Sequence, residues 1–171
     1  MGRLISNKII AVYLGTSGIF LLGQLKDFLR LSNVISGFGI ENGIIKYTSE
    51  FQKSNEELRK ILSTSFRTHL FFSLIFCILI LIFKNTIAEY LLLDFDSKFY
   101  FLILSISVIS FSIHTLLMSI INGIKKIKLY VTINIVSVVI SAILMITLVL
   151  KYAIIGALYA LIINQITTLL V

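Results

Sequence analysis

Lys26, Asp27 and Arg30 stand close together inside the apolar stretch 18–45, GIFLLGQLKDFLRLSNVISGFGIENGII. A charged side chain at mid-membrane depth costs about 2.5 to 3.5 kcal/mol on insertion scales, so such residues face a bundle interior or a wet cavity and act there. With 100° of rotation per residue, Lys26, Arg30, Asn33 and Gly37 fall within about 60° of one another. They make one stripe of two cations, an amide and a gap. Cations four residues apart repel, more strongly where the dielectric is low, and Asp27 offsets only part of this. Two readings fit. In the first, the stripe lines a polar pathway and meets an anionic ligand such as a phosphate, to which Arg30 offers a planar, two-pronged donor set. In the second, Asp27 and Arg30 form a buried structural pair while Lys26 extends its ammonium outward along its own apolar stem.

The elements that must carry these residues are membrane spans. Of 171 residues, 58% are hydrophobic and 13% charged, and the mean hydropathy is +1.03; a soluble domain has roughly 25% charged residues. The composition predicts an all-α, polytopic transmembrane helix bundle. About 20 apolar residues cross a hydrocarbon core of roughly 30 Å. Spans are expected over 18–45, 55–84, 99–123, 129–150 and 153–171, with residues 1–15 forming part of one more. The beginning lacks the apolar core and cleavage site of a signal peptide. Both ends stop without a polar flank, so the expectation is a piece of a larger bundle.

Orientation follows from the basic residues of the short connections. The segment 46–67 holds Lys46, Lys53, Arg59, Lys60 and Arg67, and the connection after the fourth span holds Lys125, Lys126 and Lys128. The alternate connections carry the turn Gly15-Thr16-Ser17-Gly18, the acidic-leaning segment 85–98 and the junction Lys151-Tyr152. The basic side is therefore cytoplasmic. This asymmetry accounts for the net charge of +7, and no nucleic-acid partner is implied.

Other polar positions within the spans are read as follows. His114 either relays protons or hydrogen-bonds to a neighbouring helix. Asn134, Ser137 and Ser141 share a face and suit tight helix contacts, as do Gly156, Ala157 and Ala160. Asn164 and Gln165 either line a cavity or bond across helices. The single cysteine, Cys77, is a small core residue and excludes an internal disulfide. Ser54-Asn55-Glu56-Glu57 has the spacing of a capping box, and Glu56 can pair with Lys60 one turn on. Gly123 suits the left-handed position after a helix. With no proline in the chain, kinks must come from residues such as Gly37 and Gly39. Asp94-Phe95-Asp96-Ser97 lacks the glycine and glutamate of a calcium loop and reads as a turn that caps the next helix. No phosphate-cradling glycine loop, metal-spaced His/Cys cluster or nucleophile-base pair is present, so neither a metal nor a cofactor is expected.

The order of several short motifs then becomes informative. Tyr13-Leu14-Gly15-Thr16-Ser17-Gly18 precedes a polar helix ending in Gly37-Phe38-Gly39-Ile40-Glu41-Asn42-Gly43-Ile44-Ile45-Lys46-Tyr47, followed by Ser49-Glu50 and the charged loop. Asn122-Gly123-Ile124-Lys125-Lys126 with Tyr130, and Tyr152-Ala153-Ile154-Ile155-Gly156-Ala157, come later. This order resembles the O-antigen and polysaccharide-repeat flippases, the Wzx-type members of the multidrug/oligosaccharidyl-lipid/polysaccharide exporter superfamily, over nearly the whole chain. The resemblance implies a MATE-like transporter, two lobes around a cationic cavity, of which this chain is part of the N-terminal lobe. It departs from the family in having less than half the expected length and no second lobe.

Such proteins move undecaprenyl-pyrophosphate-linked oligosaccharide repeat units to the outer leaflet by alternating access, for O-antigen, lipopolysaccharide or capsule synthesis. By that resemblance Lys26 and Arg30 meet the pyrophosphate or acidic sugars, with Arg3 and Lys8 as further cations. Asn33 and Asn42 bond sugar hydroxyls, and Asp27 and His114 are the coupling candidates. The implied partners are the lipid-linked oligosaccharide, membrane lipids, the C-terminal lobe and polysaccharide polymerase machinery. Two alternatives stand beside it: a cation-coupled drug or small-solute exporter, for which Asp27 is the available membrane acid, and a non-transporting membrane scaffold.

Overall fold

The computed structural model describes the backbone of residues 2–37, 39–90 and 98–170, and the side-chain surroundings of 15–16, 18–37, 39–90, 101–153 and 155–170. The expected turn at Asp94–Ser97 lies outside them. Among the described residues the elements are all helices: α1 (Gly2–Ser36), α2 (Glu41–Glu50), α3 (Asn55–Ile82), α4 (Lys84–Tyr90), α5 (Lys98–Gly123) and α6 (Ile127–Leu170). Asn55–Ile82, Phe101–Gly123 and Ile127–Ala153 are each long and apolar enough to cross a membrane. At 1.5 Å per residue α3 reaches about 42 Å, so its charged first turns extend beyond a hydrocarbon core of roughly 30 Å.

Two helices are broken, α1 at Gly15 (φ 64°, ψ −169°) and α6 at Ala153 (φ 49°, ψ −128°). At α6 the chain reverses. A β-carbon on Gly156 would collide with the backbone carbonyl of Leu148, eight residues earlier, which on a straight helix would lie about 12 Å away. The two arms of α6, 127–152 and 154–170, thus form a helical hairpin, its tip at the junction the sequence marks by Lys151-Tyr152. Gly156, Ala157 and Ala160 are buried, as expected of small residues at a close helix contact.

Several local expectations need correction. The helix expected over 18–45 ends at Ser36, and Gly39 (φ 64°) turns the chain before α2 starts at Glu41. Glycine tolerates positive φ, whereas a β-carbon resists it. Gly123 is not the left-handed residue after α5; Lys125 is (φ 60°). Gly123 matters instead for proximity, since a β-carbon there would stand 2.7 Å from Thr48 Cβ and 3.0 Å from the Ile45 carbonyl. Ser54 occupies the N-cap of α3 but makes no side-chain capping bond. The glutamates turn to Lys60 instead, at 3.2 Å from Glu56 and 3.0 Å from Glu57.

The Gly123–Thr48 approach packs α2 against the C-terminal end of α5. It brings the basic segments 46–67 and 125–128 to the same end of the bundle, which the positive-inside rule assigns to the cytoplasm. At the opposite end lies the apolar core: Leu22, Leu25 and Leu29 of α1, Ile80 of α3, Phe101, Leu104 and Val108 of α5, and Met145, Val149, Ala157, Leu158 and Ile162 of α6. Nearer the cytoplasmic end α3 packs through a small polar face, Ser65, His69 and Ser73, where His69 Nδ1 and Ser112 Oγ of α5 stand 3.0 Å apart.

Candidate functional site

Four elements surround a cavity of about 730 Å³. α1 contributes Lys26, Leu29, Arg30 and Asn33, and α2 contributes Glu41 and Ile45. From α5 come Phe111, His114, Thr115, Met118, Ser119 and Asn122, a run at the three- and four-residue intervals of a single helical face. Both arms of α6 take part, the first through residues such as Tyr130, Asn134, Ser137 and Ser141, the second through Leu161, Asn164, Gln165 and Thr168.

Core and cavity divide the length of the bundle. On α5 the core residues are 101–108 and the cavity residues 111–122; on the first arm of α6 the cavity runs from 130 to 145 and the core lies at 145 and 149. The cavity therefore occupies the cytoplasmic part and an apolar plug closes the other end. Lys26 sits ten residues before the end of α1, about 15 Å deep, and Arg30 one turn nearer the cytoplasm.

The stripe read from the sequence is brought together in part. Lys26, Arg30 and Asn33 share the wall, and Lys26 is half-buried there. Arg30 Nη1 stands 3.5 Å from Asp27 Oδ1, but the two side chains are 79% and 71% exposed. The buried structural pair is thus not what forms, and Lys26 points into the bundle cavity rather than away from it. At 3.5 Å the contact is longer than the 2.7–2.9 Å usual for a charge-assisted hydrogen bond. Arg30 keeps donors for another anion.

Asp27 and Asn42 do not line the cavity, and Asn42 is exposed on α2. The side chains of Arg3 and Lys8 lie outside the described ones. His114 lines the cavity, as does Thr168 of the second arm of α6. Asn164 and Gln165 line it too. Asn134, Ser137 and Ser141, expected at a tight helix contact, are on the wall instead, because the α6 hairpin turns this face toward α1 and α5. Glu41 went unrecognised: reading 18–45 as one helix hid the turn that brings it back to the cavity. The α5 face was legible as a half-polar stripe, Phe111 to Asn122, on an otherwise apolar helix.

Several hydroxyls elsewhere in the bundle are satisfied within their own helices. Ser32 donates to the Phe28 carbonyl at 2.7 Å, Ser105 to Phe101 at 2.7 Å and Ser107 to Leu104 at 2.7 Å. The cavity wall gathers most of the unmet side-chain atoms, with Gln24 Oε1, Thr48 Oγ1 and His69 Nε2 the others among the described residues. Asn33 Oδ1, Ser137 Oγ, Asn164 Oδ1 and Gln165 Oε1 are buried without a protein partner, each a cost of about 1–3 kcal/mol to the fold unless something meets it. No group of three or more metal-ligating side chains occurs among the described residues.

With that geometry in place, comparison with known proteins is decisive for the family. Residues 21–171 match the family described as polysaccharide biosynthesis protein. The chain belongs to that family. It is also similar to the Lipid III flippases of Escherichia coli (strain K12) and Shigella flexneri, each 27% identical over 86 residues, 50% of this chain and 21% of the relative. The chain thus aligns with about a fifth of the length of these curated relatives. No solved structure matches it. Family, apolar helices and basic-loop asymmetry together make this polysaccharide biosynthesis family member a multi-pass protein of the inner membrane.

Proposed function

We propose that the chain is part of a flippase that carries undecaprenyl-pyrophosphate-linked oligosaccharide repeat units across the inner membrane by alternating access, for O-antigen or capsule synthesis. On this reading it serves transport rather than catalysis. The observation that carries the proposal is the pair Lys26 and Arg30 on the wall of a polar cavity inside an apolar bundle. Cations at that depth persist when they meet an anion, and a pyrophosphate supplies one with oxygens matched to the guanidinium fork. A cavity at the cytoplasmic end with an apolar plug beyond it suits loading from the cytoplasmic leaflet. Family membership and the likeness to Lipid III flippases support a lipid-linked saccharide as cargo.

The test is complementation in a host whose surface polysaccharide depends on this protein. Lys26→Ala combined with Arg30→Ala is expected to lower surface polysaccharide at least tenfold while the protein remains in the membrane at normal abundance. Normal polysaccharide from that variant contradicts the reading. A cation-coupled exporter is the second reading, and one observation favours it: Glu41 supplies a wall carboxylate where Asp27 does not. Glu41→Gln separates the two, since an exporter loses ion-driven efflux while a flippase held by Lys26 and Arg30 retains polysaccharide.

A further inference from the structure

The cavity has two chemically different walls. On α1 it offers cations, Lys26 and Arg30, beside one unmet oxygen, Asn33 Oδ1; on α6 it offers no cation and three oxygens without a protein partner, Ser137 Oγ from the first arm and Asn164 Oδ1 and Gln165 Oε1 from the second. Gln165 is only 6% exposed. These oxygens are not ordinary packing polarity. Neighbours on the same helix are bonded: Asn134 donates to the Tyr130 carbonyl at 2.9 Å, Thr167 to Asn164 at 3.0 Å and Thr168 to Gln165 at 2.9 Å. The amide oxygens of Asn164 and Gln165 only accept, so they disfavour a phosphate, whose oxygens are acceptors too, and favour a group rich in O–H or N–H donors, while the Ser137 hydroxyl can accept as well as donate.

We infer that Ser137, Asn164 and Gln165 form a separate subsite on the α6 hairpin for the hydroxyl and amide N–H groups of a saccharide head, in the same cavity as the cations of α1. The inference rests on the flippase reading for its cargo, but it assigns different residues and a different part of that cargo. The lipid pyrophosphate is held by charge, the sugar by acceptors. Discrimination between saccharides then belongs to α6, because a site built to accept hydrogen bonds rejects a ligand lacking the matching donors.

The experiment uses the detergent-solubilised protein and two probes, an isoprenyl pyrophosphate without sugar and the same lipid bearing an N-acetylhexosamine disaccharide, with affinities read by calorimetry. The wild-type protein is expected to prefer the sugar-bearing lipid about tenfold or more. Asn164→Leu with Gln165→Met is expected to abolish the preference while leaving affinity for the sugar-free lipid unchanged. Because both changes replace unmet polar atoms by apolar ones of similar shape, the unfolding temperature should hold or rise; a purely structural role would lower it. Lys26→Ala with Arg30→Ala is expected to weaken both lipids equally, and failure to do so contradicts the pyrophosphate assignment alone. Absence of a sugar preference in the wild type, a preference that survives in the α6 variant, or no binding of either lipid overturns the subsite.

Discussion

Two cations one helical turn apart are an unfavourable arrangement for α1, and Asp27 does little to relieve it. Its contact with Arg30 is 3.5 Å long and exposed on both sides, a geometry worth at most about 1 kcal/mol. Asp27→Asn is therefore expected to leave surface polysaccharide within about twofold of normal by immunoblot. Arg30→Lys should retain part of the activity lost in Arg30→Ala, because a point charge replaces the fork without restoring two-pronged contact. The stripe was legible from sequence because charge in an apolar helix is conspicuous and its spacing fixes its face. Asn134, Ser137 and Ser141 were not, since small polar residues on an apolar helix look alike whether they touch a neighbouring helix or a cavity.

Two close helix contacts position that wall. The α6 hairpin depends on Ala153 adopting φ 49°, a conformation costing an L-residue roughly 1–2 kcal/mol, and on Gly156 leaving room for the Leu148 carbonyl. Ala153→Gly is expected to stabilise the protein by about 1 kcal/mol, read as a higher unfolding temperature in detergent. Gly156→Ala should destabilise it by about 1–3 kcal/mol. At the other end Gly123→Leu should displace α2, bringing polysaccharide down even with Lys26 and Arg30 intact, because Glu41 and Ile45 leave the wall. The helices and most junctions were readable from hydropathy and turn residues. Gly37 and Gly39 were marked as kink positions, but that α1 ends there and a separate α2 begins was not read, because the apolar run 18–45 continues across them without a polar interruption. The Ala153 turn shows no glycine signal at the residue that makes it.

The molecule as a whole is wet at its basic, cytoplasmic end and dry at the other. Lys26, Arg30 and the α6 acceptors lie in the wet half, and the leucine-rich core of α1, α5 and α6 closes the dry half. Hydropathy and the basic loops announce the membrane and the orientation. The division between plug and cavity depends on which helices meet, and no single helix encodes that. Cysteine accessibility tests it in membranes, since replacing the lone Cys77 by serine provides a clean background. In inverted vesicles of that background, a charged, membrane-impermeant thiol reagent should modify Lys26→Cys and Asn164→Cys at least tenfold faster than Ile135→Cys, whose parent side chain is exposed on the outer face of α6. A sugar-bearing isoprenyl pyrophosphate should slow both reactions. Labelling of Lys26→Cys no faster than Ile135→Cys, or only from the opposite side of the membrane, would contradict a cytoplasm-facing anion cavity.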